Sequence, residues 1–266
     1  MTAIQLHEKY DDHFYDIQTP LSISSATEII PIIIELVNPK SVIDIGCGTG
    51  AWLKVWEKFG VTDIKGIDGD YINPIKLLID KNKFFRMNLE DGIHDNRKFD
   101  IVSCLEVVEH LSKESAGKIV DSLCNLGNII LFSAAIPGQE GTHHINEQYP
   151  SYWRTLFGKN DFVPIDCVRR KVWTNKNVAW WYKQNIMLYV HQDYLNESNE
   201  LKSKVDSSDI DFIDIVHPEY FNYKSNKANY YENLWKNATY ENNDIICKLY
   251  LKIKRKLRLL INFRKK

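Results

Sequence analysis

The chain has 266 residues, 44% hydrophobic and 26% charged, which is apolar material for one good core with appendages. Its net charge of −1 conceals a tail, 245–266, with nine basic residues and no acidic ones, so residues 1–244 carry −10. An acidic body argues against extensive nucleic-acid binding, and five cysteines without a C-x-x-C spacing argue against a disulfide framework or zinc knuckle, as fits a reducing cytoplasm.

Residues 1–40 read as a lead-in. Positions 1–20 lack a basic-then-apolar leader pattern, and the longest apolar run, 29–37, is broken by Pro31 and Glu35, so no membrane span is expected. Positions 24–37 read as a helix begun through Ser and Thr. The stretch V-I-D-I-G-C-G-T-G follows at 42–50. Val42, Ile43 and Ile45 suit a strand buried on both faces of a parallel sheet. Gly46, Gly48 and Gly50 then let the backbone turn tightly beneath a ligand, and 51–59 continues as a helix whose N-terminus favours polar or anionic groups.

Strands and helices then alternate. Strands are expected at 63–68, 84–89, 99–105 and 128–134, and helices at 74–79 and 114–126. After a loop from 137, a helix opens at 144–148, and 162–173 and 185–191 alternate like strands closing the sheet. This order implies an α/β fold, a doubly wound Rossmann-like sheet that is mainly parallel with an antiparallel last strand, extended by helical N- and C-terminal segments. Ligands of such sheets lie at the carboxyl ends of the strands, so the residues just past each strand are the candidates.

The pattern D-x-G-x-G-x-G from Asp44 to Gly50 resembles motif I of the class I S-adenosylmethionine-dependent methyltransferases. The resemblance implies that Asp44, Gly46, Gly48 and Gly50 hold the methionine end of S-adenosylmethionine. Asp68, beside Gly69, accepts from the ribose hydroxyls, and Asn88 with Leu89 meets the adenine, where families with Asp make Asn88 a departure. The same resemblance implies that Leu105 and Glu106 lie against the cofactor and that the lead-in folds over it, with Tyr10, His13 and Tyr15 as a lid. Gly46, Gly48, Ala51 and Asp68 also satisfy a relaxed dinucleotide fingerprint. A nicotinamide-binding oxidoreductase therefore stays open, as does a catalytically silent binding module.

The fourth strand runs into Glu106-Val107-Val108-Glu109-His110. E-x-x-E-H resembles the metal-binding motif of small-RNA 2'-O-methyltransferases and ubiquinone-pathway O-methyltransferases, although E-H-L also follows this strand in metal-free relatives. Two arrangements stand. In one, Glu106, Glu109, His110 and His144 bind Mg²⁺ or Mn²⁺ and lower the acceptor's pKa. In the other, His144 is the base, Glu109 and His110 support it, and Glu106 stays with the cofactor.

H-x-N-E-Q at 144–148, P-S-Y-W at 150–153 and W-Y-x-Q-N at 181–185 resemble a methyltransferase group encoded in bacterial surface-polysaccharide (capsule) clusters, with the likeness spanning 40–194. It implies O-methylation of a sugar, nucleotide-sugar or phosphorylated glycan precursor. Methylation of a capsule phosphoramidate or carboxylate-derived group is the alternative. Tyr152, Trp153, Trp180 and Trp181 offer flat faces to a sugar, and Arg169 with Arg170 can clamp a phosphate.

The domains expected are thus a 1–40 lead-in, a 41–194 methyltransferase domain, and a 195–266 irregular or helical extension. In the extension Ile246, Leu249, Ile253, Leu257 and Leu260 recur at helical spacing among Lys252, Arg255, Lys256 and Arg258. A basic amphipathic helix there would contact the inner face of a membrane from the cytoplasm.

Overall fold

A computed structural model describes residues 12–205, 212–241, 250–251 and 253–254. They fall into two units, Met1–His217 and Pro218–Lys266. The first is organised on seven strands: β1 (Ser41–Ile45), β2 (Asp63–Asp68), β3 (Phe84–Arg86), β4 (Ile101–Leu105), β5 (Ile129–Ser133), β6 (Phe162–Ile165) and β7 (Met187–His191). They lie in the order β3-β2-β1-β4-β5-β7-β6. The first five are mutually parallel, and β7 runs antiparallel to both β5 and β6.

Every residue of β1, β4 and β5 is buried, because helices cover both faces. On one face Val42, Ile64, Ile101 and Leu131 meet Ile29, Ile30 and Ile33 of α1 (Asp12–Val37) and Leu53 and Trp56 of α2 (Ala51–Lys58). On the other, Ile43, Val102, Ile130 and Phe132 meet Ile119, Val120 and Leu123 of α3 (Ala116–Leu126) and Trp153 and Phe157 of α4 (Pro150–Gly158). Alternate residues of each strand thus feed opposite cores, as the strand period of two requires.

The lead-in helix starts twelve residues before the expected 24, running through Pro20 and Pro31 as α1. Its span His13–Val37 has the length and apolarity to cross a membrane, yet Ala26, Ile29, Ile30 and Ile33 are wholly buried, so that apolar face serves the core.

Four expected elements are corrected. Residues 74–79 are irregular rather than helical: the Asn73 carboxamide accepts from Ile75 N–H, Leu78 N–H reaches Thr49 O, and Ile79 is drawn under the glycine turn. Strand three stops at Arg86, because Asn88 accepts from Glu90 N–H and caps a 3-10 turn over Leu89–Asp91. Residues 144–148 form no helix; the helix begins at Pro150, where the missing N–H costs nothing. The strand expected over 162–173 ends at Ile165 and gives way to α5 (Arg169–Val172), and 180–185 is helical as α6 (Trp180–Asn185).

Past β7 the chain is more regular than its composition suggests. α7 (Gln192–Glu197) is capped by the His191 ring and α8 (Asn199–Lys204) by Ser198, each accepting from a backbone N–H two or three residues on. Among its described residues the second unit has a long helix, α9 (Pro218–Glu241), and helical residues at 250–251 and 253–254. The basic amphipathic tail expected from 246 lies almost wholly outside the described residues, as do Tyr10 and Cys247.

Candidate active site

The carboxyl ends of β1, β2, β3 and β4 open into a cleft of about 1,090 Å³. Strand order divides it: β2 and β3 lie on one side of β1, and β4 and β5 on the other.

On the first side stand two buried carboxylates. Asp68 accepts from Gly48 N–H at 2.7 Å, Gly69 N–H at 2.6 Å and the Tyr71 hydroxyl at 2.6 Å, which fixes its side chain at the end of β2. Burial pushes its pKa up, opposed by those three donors. Asp44 accepts from the Ser103 hydroxyl at 2.6 Å. Burial carries it to about 7, with the Ser103 bond opposing and the Asp68 charge adding. Gly46 sits between them at φ 73°, and a Cβ there would come within 2.3 Å of a Val107 methyl. Only glycine satisfies both that backbone and that approach. Gly50 lies outside the lining and begins α2. Arg86, Met87, Asn88 and Leu89 continue the wall, with the Asn88 amide held by Asp91 at 2.8 Å.

Helix α1 forms the roof. Phe14, Tyr15, Gln18, Thr19 and Ser22 line the cleft, and Thr19 Oγ1 lies 3.2 Å from Thr49 Oγ1. Of the residues expected in a lid, Tyr15 lines the cleft, whereas His13 is exposed and outside the lining.

The β4 side carries the imidazoles. Glu106 holds φ 56°, a left-handed conformation that costs a non-glycine residue about 1–2 kcal/mol. Its carboxylate accepts from Gln139 Nε2 at 3.0 Å and Asn185 Nδ2 at 3.1 Å, and burial raises its pKa. Glu109 is wholly buried. Its Oε1 accepts from Ala135 N–H at 3.3 Å, and its Oε2 has no hydrogen-bond partner. Burial and then the neighbouring Glu106 charge hold this carboxyl well above the usual range.

The loop after β5 is tied to the same turn, since Ile145 and Asn146 N–H both donate to Glu109 O. That brings the His144 ring edge-on to His110, with centroids 4.9 Å apart. His110 Nδ1 lies 3.3 Å from His143 O, and burial, then His144, lowers its pKa to about 4, so the ring is neutral. His144 Nδ1 lies 2.9 Å from Glu147 Oε1. One ligand atom from each of Glu109, His110 and His144 lies within 4.8 Å of the other two.

Glu106 is corrected as a fourth metal ligand: the three-residue cluster leaves it out, and its carboxylate turns to Gln139 and Asn185. The substrate-binding set divides as well. Trp181 and Trp180 line the cleft. Trp153 does not; it is 1% exposed and packs against Phe132 in the core, with Tyr152 beside it. The phosphate clamp is also corrected. Arg169 is 1% exposed, pairs bidentately with Asp166 at 2.9 and 2.8 Å, and donates to the carbonyls of Gln184 and Ile213. Arg170 lies outside the lining. Both residues open α5, the short helix that follows β6, and the Arg169 side chain is buried there. Residues that the sequence reading left without a role are Glu147, Gln139, Tyr71 and Thr19; the i, i+3 spacing of His144 and Glu147 was the one local signal.

Comparison with known proteins agrees with this geometry. Residues 25–133 match a family model described as a methyltransferase domain. Magnesium protoporphyrin IX methyltransferase (ChlM) from Synechocystis PCC 6803, solved with bound S-adenosylhomocysteine, superposes with TM-score 0.50 and 17% identity, covering 72% of this chain and all of its own. DesVI of Streptomyces venezuelae gives 0.52 and 14%, covering 68% and 96%. The plantazolicin methyltransferase BpumL gives 0.51 and 14%, covering 71% and 98%. No curated protein matches. The likeness to these structures is one of fold, while the matched segment runs from the second half of α1 to the end of β5 and contains Asp44 and Asp68. Over residues 25–133 the chain is thus similar to a methyltransferase domain, and its sheet has the fold of these methyltransferase structures.

Proposed function

We propose that the protein methylates a hydroxyl of a sugar or nucleotide-sugar precursor of a surface glycan. The observation that supports this most is the placement of His144, His110 and Glu109 on the β4 side of a cleft whose lining also includes Trp180 and Trp181. Aromatic faces suit a sugar ring, and an imidazole suits the proton that a hydroxyl must lose.

The residues present fit the cofactor. Asp68 is fixed at the end of β2 with a carboxylate for a ribose, and the glycine turn beside it, packed too closely on Val107 for a Cβ at Gly46, lines the cleft with backbone. When bound, S-adenosylmethionine supplies a methyl group on a positive sulfur, which becomes neutral as the new C–O bond forms. The protein's own contribution is positional. Asp44 and Asp68 place negative charge beside the cofactor, the aromatic wall holds the acceptor, and His144 takes the hydroxyl proton. A well-placed base contributes a factor of about 10² to 10⁴. His110, held neutral, supports by hydrogen bonding rather than by carrying charge.

One observation favours a metal-assisted form of the same chemistry. Glu109 Oε2 is buried without a hydrogen bond, and an ion held by Glu109, His110 and His144 would satisfy it and lower the acceptor's pKa. One carboxylate and two imidazoles suit Mn²⁺ better than Mg²⁺.

The test is transfer of labelled methyl to a panel of neutral sugars, nucleotide sugars, sugar phosphates and phosphoramidates, with and without EDTA and Mn²⁺. Label in a sugar ether supports the proposal. Transfer confined to a phosphoramidate or carboxylate rejects it, and full activity in a rigorously stripped sample rejects the metal.

A further inference from the structure

We propose that Glu147 is a positioning residue that holds His144 in its Nδ1–H tautomer, and that Gly141 keeps the opposite edge of the ring clear, so that Nε2 is the atom presented to the acceptor. This rests on the proposed role of His144 as the base and specifies how the fold prepares it.

Glu147 is saturated with donors that fix its orientation. Its Oε2 accepts from Gly138 N–H at 2.6 Å, and its Oε1 accepts from Glu140 N–H at 2.8 Å and lies 2.9 Å from His144 Nδ1. An ionised carboxylate accepts only, so the imidazole nitrogen facing it must carry the hydrogen. A neutral ring then has its lone pair on Nε2. Two backbone bonds prevent the carboxylate from rotating away, and the glutamate and histidine side chains are only 18% and 12% exposed. The arrangement has the form of an oriented base: a proton acceptor whose second nitrogen is fixed by a third group.

Gly141 contributes by lacking a side chain. A Cβ built there would lie 2.2 Å from His144 Nε2 and 2.5 Å from Cε1, deep inside contact distance. Its backbone is in an ordinary conformation, so the requirement is for space at that nitrogen rather than for a left-handed turn. Glu140 and His143, on either side, sit at φ 63° and 61°, conformations that non-glycine residues seldom take, and this tightly bent loop lines the cleft together with His144. In the transfer step the acceptor oxygen bonds to the methyl carbon as the carbon–sulfur bond breaks, and the hydroxyl proton goes to Nε2. Glu147 keeps its own charge throughout.

Glutamine at 147 cannot reproduce these contacts. Its single oxygen serves one side, and its amide faces either Gly138 N–H or the pair of Glu140 N–H and Nδ1–H, a donor opposite a donor. The experiment combines ¹⁵N-histidine NMR of the full chain with kinetics on the best acceptor. The proposal expects the His144 resonances, assigned through His144→Gln, to show protonated Nδ1 in the wild type and to lose that signature in Glu147→Gln, with partial return in Glu147→Asp. It also expects Glu147→Gln and Gly141→Ala each to lower kcat about 10- to 100-fold, leaving S-adenosylhomocysteine affinity and acceptor KM within threefold. Gly117→Ala, where nothing lies within 4 Å of the added Cβ, should behave as wild type. A protonated Nε2 in the wild type, or an unchanged tautomer in Glu147→Gln, overturns the proposal. So does wild-type turnover in Gly141→Ala. The tautomer is read without turnover, so failure of the base assignment shows separately, as wild-type turnover in His144→Ala.

Discussion

Asp44→Asn should stabilise the free protein at neutral and alkaline pH while weakening the cofactor site. The aspartate is 3% exposed, and its pKa stands at about 7 against an ordinary 3.8. The folded state therefore binds more protons than the unfolded state between those values. Stability from this group is fully present below about pH 4 and is lost as pH rises through about 7. At about 1.4 kcal/mol per pH unit the full effect approaches about 4 kcal/mol, or about 2–4 °C of melting temperature for each kcal/mol in a domain of this size. Asparagine keeps the shape and still accepts from the Ser103 hydroxyl, which lies 2.6 Å away, but carries no charge to lose. Thermal melts of both proteins from pH 4.5 to 8.5 should lie closest at the acid end, diverge progressively up to about pH 7 and stay apart above it, with the variant higher. Calorimetry at pH 8 should show the variant binding S-adenosylmethionine more weakly. A variant that melts below wild type at pH 8, with the same pH slope, would refute the reasoning.

Gly46→Ala should abolish measurable S-adenosylhomocysteine binding, because the methyl meets Val107 at 2.3 Å on a φ of 73°; unchanged calorimetric affinity would count against the cradle. Arg169→Ala should destabilise the fold by about 3–5 kcal/mol by stranding Asp166 and two carbonyls, while leaving acceptor preference alone. A denaturant melt decides this, and selective loss of phosphorylated acceptors would restore the clamp. Trp181→Ala should raise acceptor KM with cofactor affinity unchanged, since Trp181 lines the cleft and is assigned to the acceptor; steady-state kinetics would show a purely cofactor-side effect if that is wrong.

The sheet was legible because its signals are local. A run such as Val42 to Ile45, buried on both faces and followed by alternate glycines, has few other structures open to it, and Asp44, Gly46 and Asp68 fall where strand ends place them. What was not legible depended on distant partners. Arg169 looks identical to a surface arginine until Gln184 O and Ile213 O, 15 and 44 residues away, claim its guanidinium. Trp153 and Trp181 are the same residue type beside similar neighbours, yet one fills the core against Phe132 and the other lines the cleft. Glu147 gained its role from a loop closed by Gly138 and Glu140, a geometry that no periodicity announces.

The direction in which the cleft is used is the claim on which the rest depends: ribose at Asp68 on the β2 side, reacting sulfur toward Glu106, Glu109 and His144 on the β4 side. A crystal structure of the complex with S-adenosylhomocysteine tests it without knowledge of the acceptor. The account predicts both ribose hydroxyls on the Asp68 carboxylate and the sulfur facing the imidazole pair. Sulfur on the side of Arg86 and Asn88, with the imidazoles left facing solvent, would contradict it.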